Sequence, residues 1–459
     1  MAEYKRFHFL YSIKYIKYAL ILCVVPMLRA LIAFDLDSLF LALRQDAVIL
    51  VLMLLLAALF WYYAGYKTGD ECLYARSGLL CPVTTAIPYN SIAVLEITRP
   101  LLLRLCAASK LKIYFKNNFA MRSCSFYLPR KTAAALADRM LPVKTNHAIF
   151  APAGANRLVF TMLSANIATS TFFIFTFIHR LDEVLGHSSA DIAISRIEHL
   201  SKLIAPFLPA GLAFIMSILF LLFAFGLFLS FLHTAGFSVC RNNGILICRG
   251  GLITHTERRF RCSSISACDV RVTFIARLLR RYPIFIYCGS YTGNDAPAFA
   301  FSRRDTAQLS TLLPELVWQC PPYKAPRARS IMQYIWLALS SLLLFSALFI
   351  VACLQMPSVR IIIALPIILS CAALLVSIEG YGREGLTIMP NRTIAVCYTS
   401  FFTRHDLCIL TQDVSLLLWQ HPVSASEGRC DIYLYLPCHK KVRVRGVQAY
   451  YAKNLTLFS

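Results

Sequence analysis

Arginine and lysine recur in this chain in pairs and triplets beside apolar runs, a pairing of residue types that suits anion binding at an apolar boundary. Arg99 and Arg104 bracket Leu101, Leu102 and Leu103; Arg277, Arg280 and Arg281 follow Phe274; Arg130-Lys131 and Arg303-Arg304 form two further pairs. A basic group near an anionic lipid surface contributes about 1 kcal/mol. Three readings stay open for the charges: they lay a domain flat on lipid, they bind a headgroup in a pocket, or they reflect only the excess of basic residues that topology puts on one membrane face. The leucines and Phe274 fit a helical turn dipping into the interface, a contact between neighbouring repeats, or core filling.

Other chemistry is sparse. Gly380-Tyr381-Gly382-Arg383-Glu384-Gly385 has the dinucleotide spacing, but it follows an apolar helix and precedes a strand-like run, the reverse of the strand-to-helix context that phosphate binding needs. Gly186-His187-Ser188 lacks the strand a nucleophile elbow requires. The seventeen cysteines include no Cys-x-x-Cys pair, and Cys72 with Cys81, Cys240 with Cys248 and Cys262 with Cys268 are too widely and variably spaced and lack nearby histidine partners, so the cysteines read as small buried hydrophobes rather than zinc ligands. Nowhere do an acid, a base and a nucleophile converge, so no enzyme, cofactor or metal is expected. No base-stacking aromatics interleave with the arginines, which argues against nucleic acid. Asn166, Thr169 and Thr171 make one apolar segment polar; they serve helix packing or, alternatively, line a path for a lipid or small-molecule transporter.

The elements that carry these residues follow from composition. Hydrophobic residues make up 58% of the chain, mean hydropathy is +0.62, and the formal charge is +23, a combination foreign both to soluble domains and to purely lipid-embedded ones. A hydrocarbon core needs about 20 apolar helical residues. Six stretches qualify, near 17–35, 47–66, 157–178, 204–232, 331–354 and 359–378, and the first is read as a retained helix rather than a signal peptide. Basic residues gather in the N-terminal tail, in 67–156 and in 233–330, whereas 179–202 is slightly acidic, so both termini and the intervening domains are expected on the cytoplasmic side.

Two of these intervening stretches are copies. Gly78-Leu79-Leu80 answers to Gly251-Leu252-Ile253, Asn90-Ser91-Ile92 to Ser263-Ser264-Ile265, Leu103-Arg104-Leu105 to Ala276-Arg277-Leu278, and Ile113-Tyr114 to Ile286-Tyr287, without a gap. A weaker third copy has Thr411-Gln412-Asp413-Val414 in place of Tyr89-Asn90-Ser91-Ile92. Each unit starts at a glycine and an aromatic, continues through short strand-like runs, and in two copies closes with a helical pattern. A small β-barrel or bent sandwich capped by a helix is expected for each.

Paired apolar helices, a Gly-aromatic exit, a strand ending in Gly-Leu-Leu, the Ile87-Pro88-Tyr89-Asn90-Ser91-Ile92 turn and Leu101-Leu102-Leu103-Arg104-Leu105 together resemble the bacterial membrane-flanked PH-like domain of the YdbS/YdbT type, in its longer, three-copy form. The third copy departs from the pattern at Ser400-Phe401-Phe402 and after Gln420-His421-Pro422. The resemblance implies a polytopic inner-membrane protein with six transmembrane helices in three hairpins (17–66, 157–232, 331–378) and three cytoplasmic PH-like domains (67–150, 233–326, 379–459). It further implies a binding or scaffold role linked to envelope stress or membrane-active peptides, and a second PH-like membrane protein of the same family as partner beside membrane lipids.

Overall fold

The computed structural model describes residues 4–12, 51, 53–78, 82–116, 122–143, 150–164, 210–292, 297–302, 331–355, 360–388, 393–400, 403–410, 414–420, 425–436, 438 and 440–449. The first unit comprises β1 (Lys5–Arg6), α1 (Met53–Tyr63), β2 (Gly65–Thr68), β3 (Cys72–Ser77), β4 (Val83–Pro88), β5 (Ile92–Arg99), α2 (Leu101–Leu105), β6 (Ala108–Phe115), β7 (Ser123–Pro129) and α3 (Arg130–Met140). The second comprises α4 (Ala155–Ser164), α5 (Ala210–Thr234), β8 (Ser238–Asn242), β9 (Ile245–Gly250), β10 (His255–Arg261), β11 (Ile265–Val272), α6 (Phe274–Leu279), β12 (Arg281–Cys288) and β13 (Phe299–Ser302). The third comprises α7 (Ile331–Gln355), α8 (Arg360–Arg383), β14 (Gly385–Ile388), β15 (Thr393–Ser400), β16 (Thr403–Leu410), β17 (Ser415–Trp419), β18 (Arg429–Tyr435) and β19 (Lys441–Gln448).

The repeat holds in detail. Single 3-10 turns, Tyr89–Ser91 and Cys262–Ser264, lead into β5 and β11. The short helices α2 and α6 are each followed by a left-handed residue, Ala107 and Arg280, both at φ 52°. Each unit is nevertheless not a closed sandwich of its own. Among the described residues all pairings are antiparallel, and four sheets run β1-β2-β3-β4, β7-β6-β5-β10-β9-β8, β13-β12-β11-β16-β15-β14 and β17-β18-β19. Strand β5 of the first unit therefore pairs with β10 of the second, from Arg99↔His255 to Val94↔Phe260. Strand β11 of the second pairs with β16 of the third, from Val272↔Arg404 to Ala267↔Ile409.

Side chains alternate along a strand, so a shared sheet serves two cores. On β9, Ile245 and Ile247 join Leu73, Ile87, Leu95, Ile97, Leu111 and Leu136 in one core, while Leu246 and Cys248 join Phe260, Val270 and Ile286 in the next. On the third sheet Ala267, Tyr287, Leu407 and Ile409 turn to a last core with Ile432, Leu434, Val442 and Val444. Among the described residues the result is four sheets layered around three large cores, each fully buried aliphatic side chain contributing about 1.5–3 kcal/mol.

This architecture corrects the expected fold class. The described chain is mixed α/β on four antiparallel sheets, not a polytopic helical protein of six spans with three separate β domains. Among the described residues one helix is long and apolar enough to cross a membrane, Tyr334–Leu354 at mean hydropathy 2.6; helix Met53–Tyr63 and the apolar stretches Phe220–Thr234 within α5 and Pro366–Gly382 within α8 are shorter. Hydropathy misleads here because part of the apolar sequence is spent on protein packing. The expected segment 47–66 runs past the end of α1 into β2. The segment expected at 157–178 begins inside α4, whose Phe160 and Leu163 are buried against Ala276 and Ala300. The segment 17–35 and residues 165–178 lie outside the described residues. Helices α7 and α8 pack as a pair, with the Tyr334 and Tyr381 rings 6.0 Å apart.

Candidate functional site

The chemistry-bearing side chains gather at one rim of the stack. Pro100, at ψ 160°, turns the end of β5 into α2. Leu103 packs inward with Leu10 and Ala108, leaving Leu101, Leu102 and Leu105 exposed at 52%, 76% and 76%. The left-handed turn at Ala107 brings the chain back, and its carbonyl accepts from the Arg130 amide at 2.9 Å, so α3 starts beside α2. Arg104 Nη1 donates to the Leu252 carbonyl at 3.0 Å. Leu252 is itself tied to the last turn of α5 through the Leu232 carbonyl at 2.8 Å. Leu252 and Ile253 are exposed, so five aliphatic side chains face outward beside the end of an apolar helix.

Positive charge surrounds this apolar group. Arg99, whose Nε donates to Ser109 Oγ at 3.1 Å, is pushed below its ordinary pKa by burial and by Arg130 and Arg249. Burial and the field of Arg99, Arg104 and Arg249 likewise lower His255. Glu257 is the acidic counterpart: burial would raise it, but Arg259 and Arg249 outweigh burial and hold it below its usual range. Arg130 and Lys131 open α3 as exposed residues. The second unit repeats the apolar element. Thr273 caps α6 by accepting from the Ala276 amide at 3.1 Å, and Leu278, the counterpart of Leu105, is 72% exposed. Phe274 opens α6, Arg280 stands at its left-handed C-terminus and Arg281 begins β12.

Several basic residues that composition alone would assign to a membrane face instead tie one unit to the next. Arg277 forms an ion pair with Glu379 of α8 at 2.6 Å, the same forward reach that Arg104 makes to Leu252. Arg258 pairs with buried Glu96 at 2.8 Å, and Tyr114 Oη donates to the same carboxylate at 3.3 Å. Arg259, 4% exposed, bridges Glu257, Asp138 and the Leu141 carbonyl, and Arg261 donates to the Tyr89 carbonyl at 2.9 Å. At the next seam Asp269 is fully buried. Its carboxylate meets His405 at 3.0 Å, Lys440 at 3.2 Å, Arg271 at 3.3 Å and Tyr287 Oη at 3.1 Å. Burial opposes its ionisation, but His405, Lys440 and Arg271 hold Asp269 well below the usual carboxylate range.

Of the residues singled out in the sequence, the structure brings Arg99, Leu101, Leu102, Arg104, Arg130 and Lys131 to the rim of the first unit, and Phe274, Arg277, Arg280 and Arg281 to the matching place in the second. Arg303, Arg304, Asn166, Thr169 and Thr171 lie outside the described residues. Thr161, from the same polar segment, serves helix packing: its hydroxyl is 3.0 Å from that of Thr234, and Ser230 Oγ donates to its carbonyl at 2.8 Å. The glycine pattern at 380–385 indeed spans the end of α8 and the start of β14. Sequence reasoning missed Leu252 and Ile253 as exposed neighbours of α2, and missed Glu96 and Asp269 as seam residues. The signal for the last two was present: a carboxylate in an otherwise apolar strand at the same register of two copies, each with a tyrosine, Tyr114 or Tyr287, one strand on.

Comparison with known families finds that residues 19–143 match the family described as Bacterial PH domain. No curated protein and no solved structure matches the chain. A domain of this kind fits a binding or scaffold role.

Proposed function

From the match of residues 19–143 to the bacterial PH domain family, we propose that the chain is a non-catalytic binding scaffold at the cytoplasmic face of a bacterial membrane. Its rim of α2 and α6 inserts leucines into the lipid interface while the neighbouring arginines engage anionic headgroups. The observation that carries this reading is the exposure of Leu101, Leu102 and Leu105 beside Arg99, Arg104 and Arg130, at the end of the apolar segment Phe220–Thr234. Exposed aliphatic residues gain nothing from water, and a contiguous group of them flanked by cations matches an anionic bilayer surface, apolar below and negative above. Burial of Leu103 and of Ala276 anchors the two short helices, so the exposed side chains sit on fixed supports.

The test is lipid association of the full chain reconstituted in bilayers, read by electron spin resonance with spin-labelled phosphatidylglycerol and phosphatidylcholine. The motionally restricted fraction should be larger for phosphatidylglycerol, and Arg130→Gln with Lys131→Gln should reduce that preference. Equal association of the two lipids with the unaltered protein contradicts headgroup recognition.

A further inference from the structure

The chain joins its units by one rule used twice. The first strand of the second half of a unit, β5 or β11, pairs antiparallel with the last strand of the first half of the following unit, β10 or β16. The two seams have the same register, because Arg99 and Val272, and likewise Val94 and Ala267, hold equivalent positions in the repeat, and their partners His255 and Arg404, Phe260 and Ile409, do so too. Applying the rule to all three units leaves two strands at sheet edges. Strand β4 is the counterpart of β10: Ser77↔Val83 and Cys72↔Pro88 match Gly250↔Thr256 and Ile245↔Arg261. In the first sheet β4 has β3 on one side and no described strand on the other. Strand β17 is the counterpart of β5 and β11, since Leu416 and Leu418 turn to the last core as Leu95 and Ile97 turn to the first. It pairs with β18 alone among the described strands.

These edges are complementary to each other. Leu417 takes the place of Glu96 and Asp269 and is 48% exposed, against full or near-full burial of those carboxylates in their seams. Val83, at the other edge, is 61% exposed. A flat strand edge with outward apolar residues is a template for another strand. We propose that β17 of one chain pairs antiparallel with β4 of a second copy, in the register of the internal seams, so that Ser415 faces Ile87, Leu417 faces Thr85 and Trp419 faces Val83. Because the two surfaces differ, the contact is heterologous and propagates head to tail, closing as a ring or growing as a row according to the rotation per copy.

The test uses the full-length protein in mild detergent and in membranes. A photo-crosslinking amino acid at Leu417 should couple to residues 82–88 of another copy, identified by mass spectrometry of isotopically mixed protein. Light scattering should give a mass above one chain that falls to one chain for Leu417→Glu. Adding Thr85→Arg in the same protein should restore the higher mass, since it rebuilds across copies the Glu96–Arg258 pair of the internal seam. The reciprocal set, Thr85→Glu followed by Leu417→Arg, serves if the first variant unfolds. Crosslinks to another surface or to a different protein, a one-chain mass for the unaltered protein, or failure of both charge pairs to restore assembly overturns the proposal.

Discussion

The Arg258 guanidinium donates to the Glu96 carboxylate at 2.8 Å across the seam between the first and second units, with both side chains almost wholly removed from water. The pair sits at the centre of a shared sheet, where strands from two units face each other. It makes the seam specific, since a shift by one residue would turn the carboxylate into an aliphatic core. Breaking such a pair strands a charge. Glu96→Ala should therefore cost about 3–5 kcal/mol, measured by chemical unfolding in mild detergent. Glu96→Leu combined with Arg258→Met should recover most of the loss, because no charge remains to be desolvated; a double variant no more stable than the single one would show that the pair is not the source.

Asp269 gives the second seam an acid dependence. Its folded pKa is depressed, so the unfolded chain takes up the proton first as pH falls. The stability it supplies is complete above about pH 5 and is lost as pH drops through about 4 and below. Asp269→Asn should lower stability at neutral pH by about 3–5 kcal/mol. It should also flatten the fall in melting temperature between about pH 5 and pH 2, and parallel pH profiles for the two proteins would contradict the assignment.

Gly289 lets the second unit approach the first. It lies at φ 53°, and an added Cβ would run into the Phe115 carbonyl and the Ala93 side chain, beside a Ser290-to-Phe115 backbone hydrogen bond of 2.9 Å. Gly289→Ala should destabilise by about 2–3 kcal/mol through strain and overpacking. Gly428→Ala, also at positive φ but with open space around it, should cost less, since it carries the backbone strain alone. Equal losses in thermal unfolding would remove the packing argument.

Cysteine reactivity reports the layering. Burial pushes the Cys248 thiol up to about 12, whereas Cys106 at the rim is exposed. Only a thiolate alkylates readily. Iodoacetamide at pH 8 followed by peptide mapping should modify Cys106 in the folded protein and Cys248 only after denaturation; comparable native labelling would mean that the core between the second and third sheets is open.

The unit was legible in the sequence because its turns are repeated residue for residue: Tyr89–Ser91 and Cys262–Ser264, and the left-handed Ala107 and Arg280, stand at matching positions. The basic and apolar residues of the rim were legible for the same reason, as Leu103-Arg104-Leu105 and Ala276-Arg277-Leu278 align. Sharing of sheets was not, since Val94 or Ile97 has the same β propensity whether its neighbour is a strand of its own unit or of the next, and pairing across units is decided by long-range packing. Hydropathy also failed at 157–164, where Phe160 and Leu163 serve a protein core with the same residue types that a membrane would select. The arginines at 258, 259 and 261 looked like surface charge because Glu96, Asp138 and the Tyr89 carbonyl, which they respectively engage, lie far away in the chain.

The central claim is that the α2 rim meets lipid, and depth-resolved fluorescence tests it most directly. Leu102, 76% exposed, tolerates replacement without disturbing a core, so Leu102→Trp can be placed in the full chain and reconstituted in bilayers containing brominated phospholipids. Emission from the new tryptophan, taken as the difference from the unaltered protein, should be blue-shifted and quenched most by bromines near the headgroup end of the acyl chain. Emission that stays red-shifted and is quenched by aqueous iodide but not by brominated lipid would put the rim in water and contradict the claim.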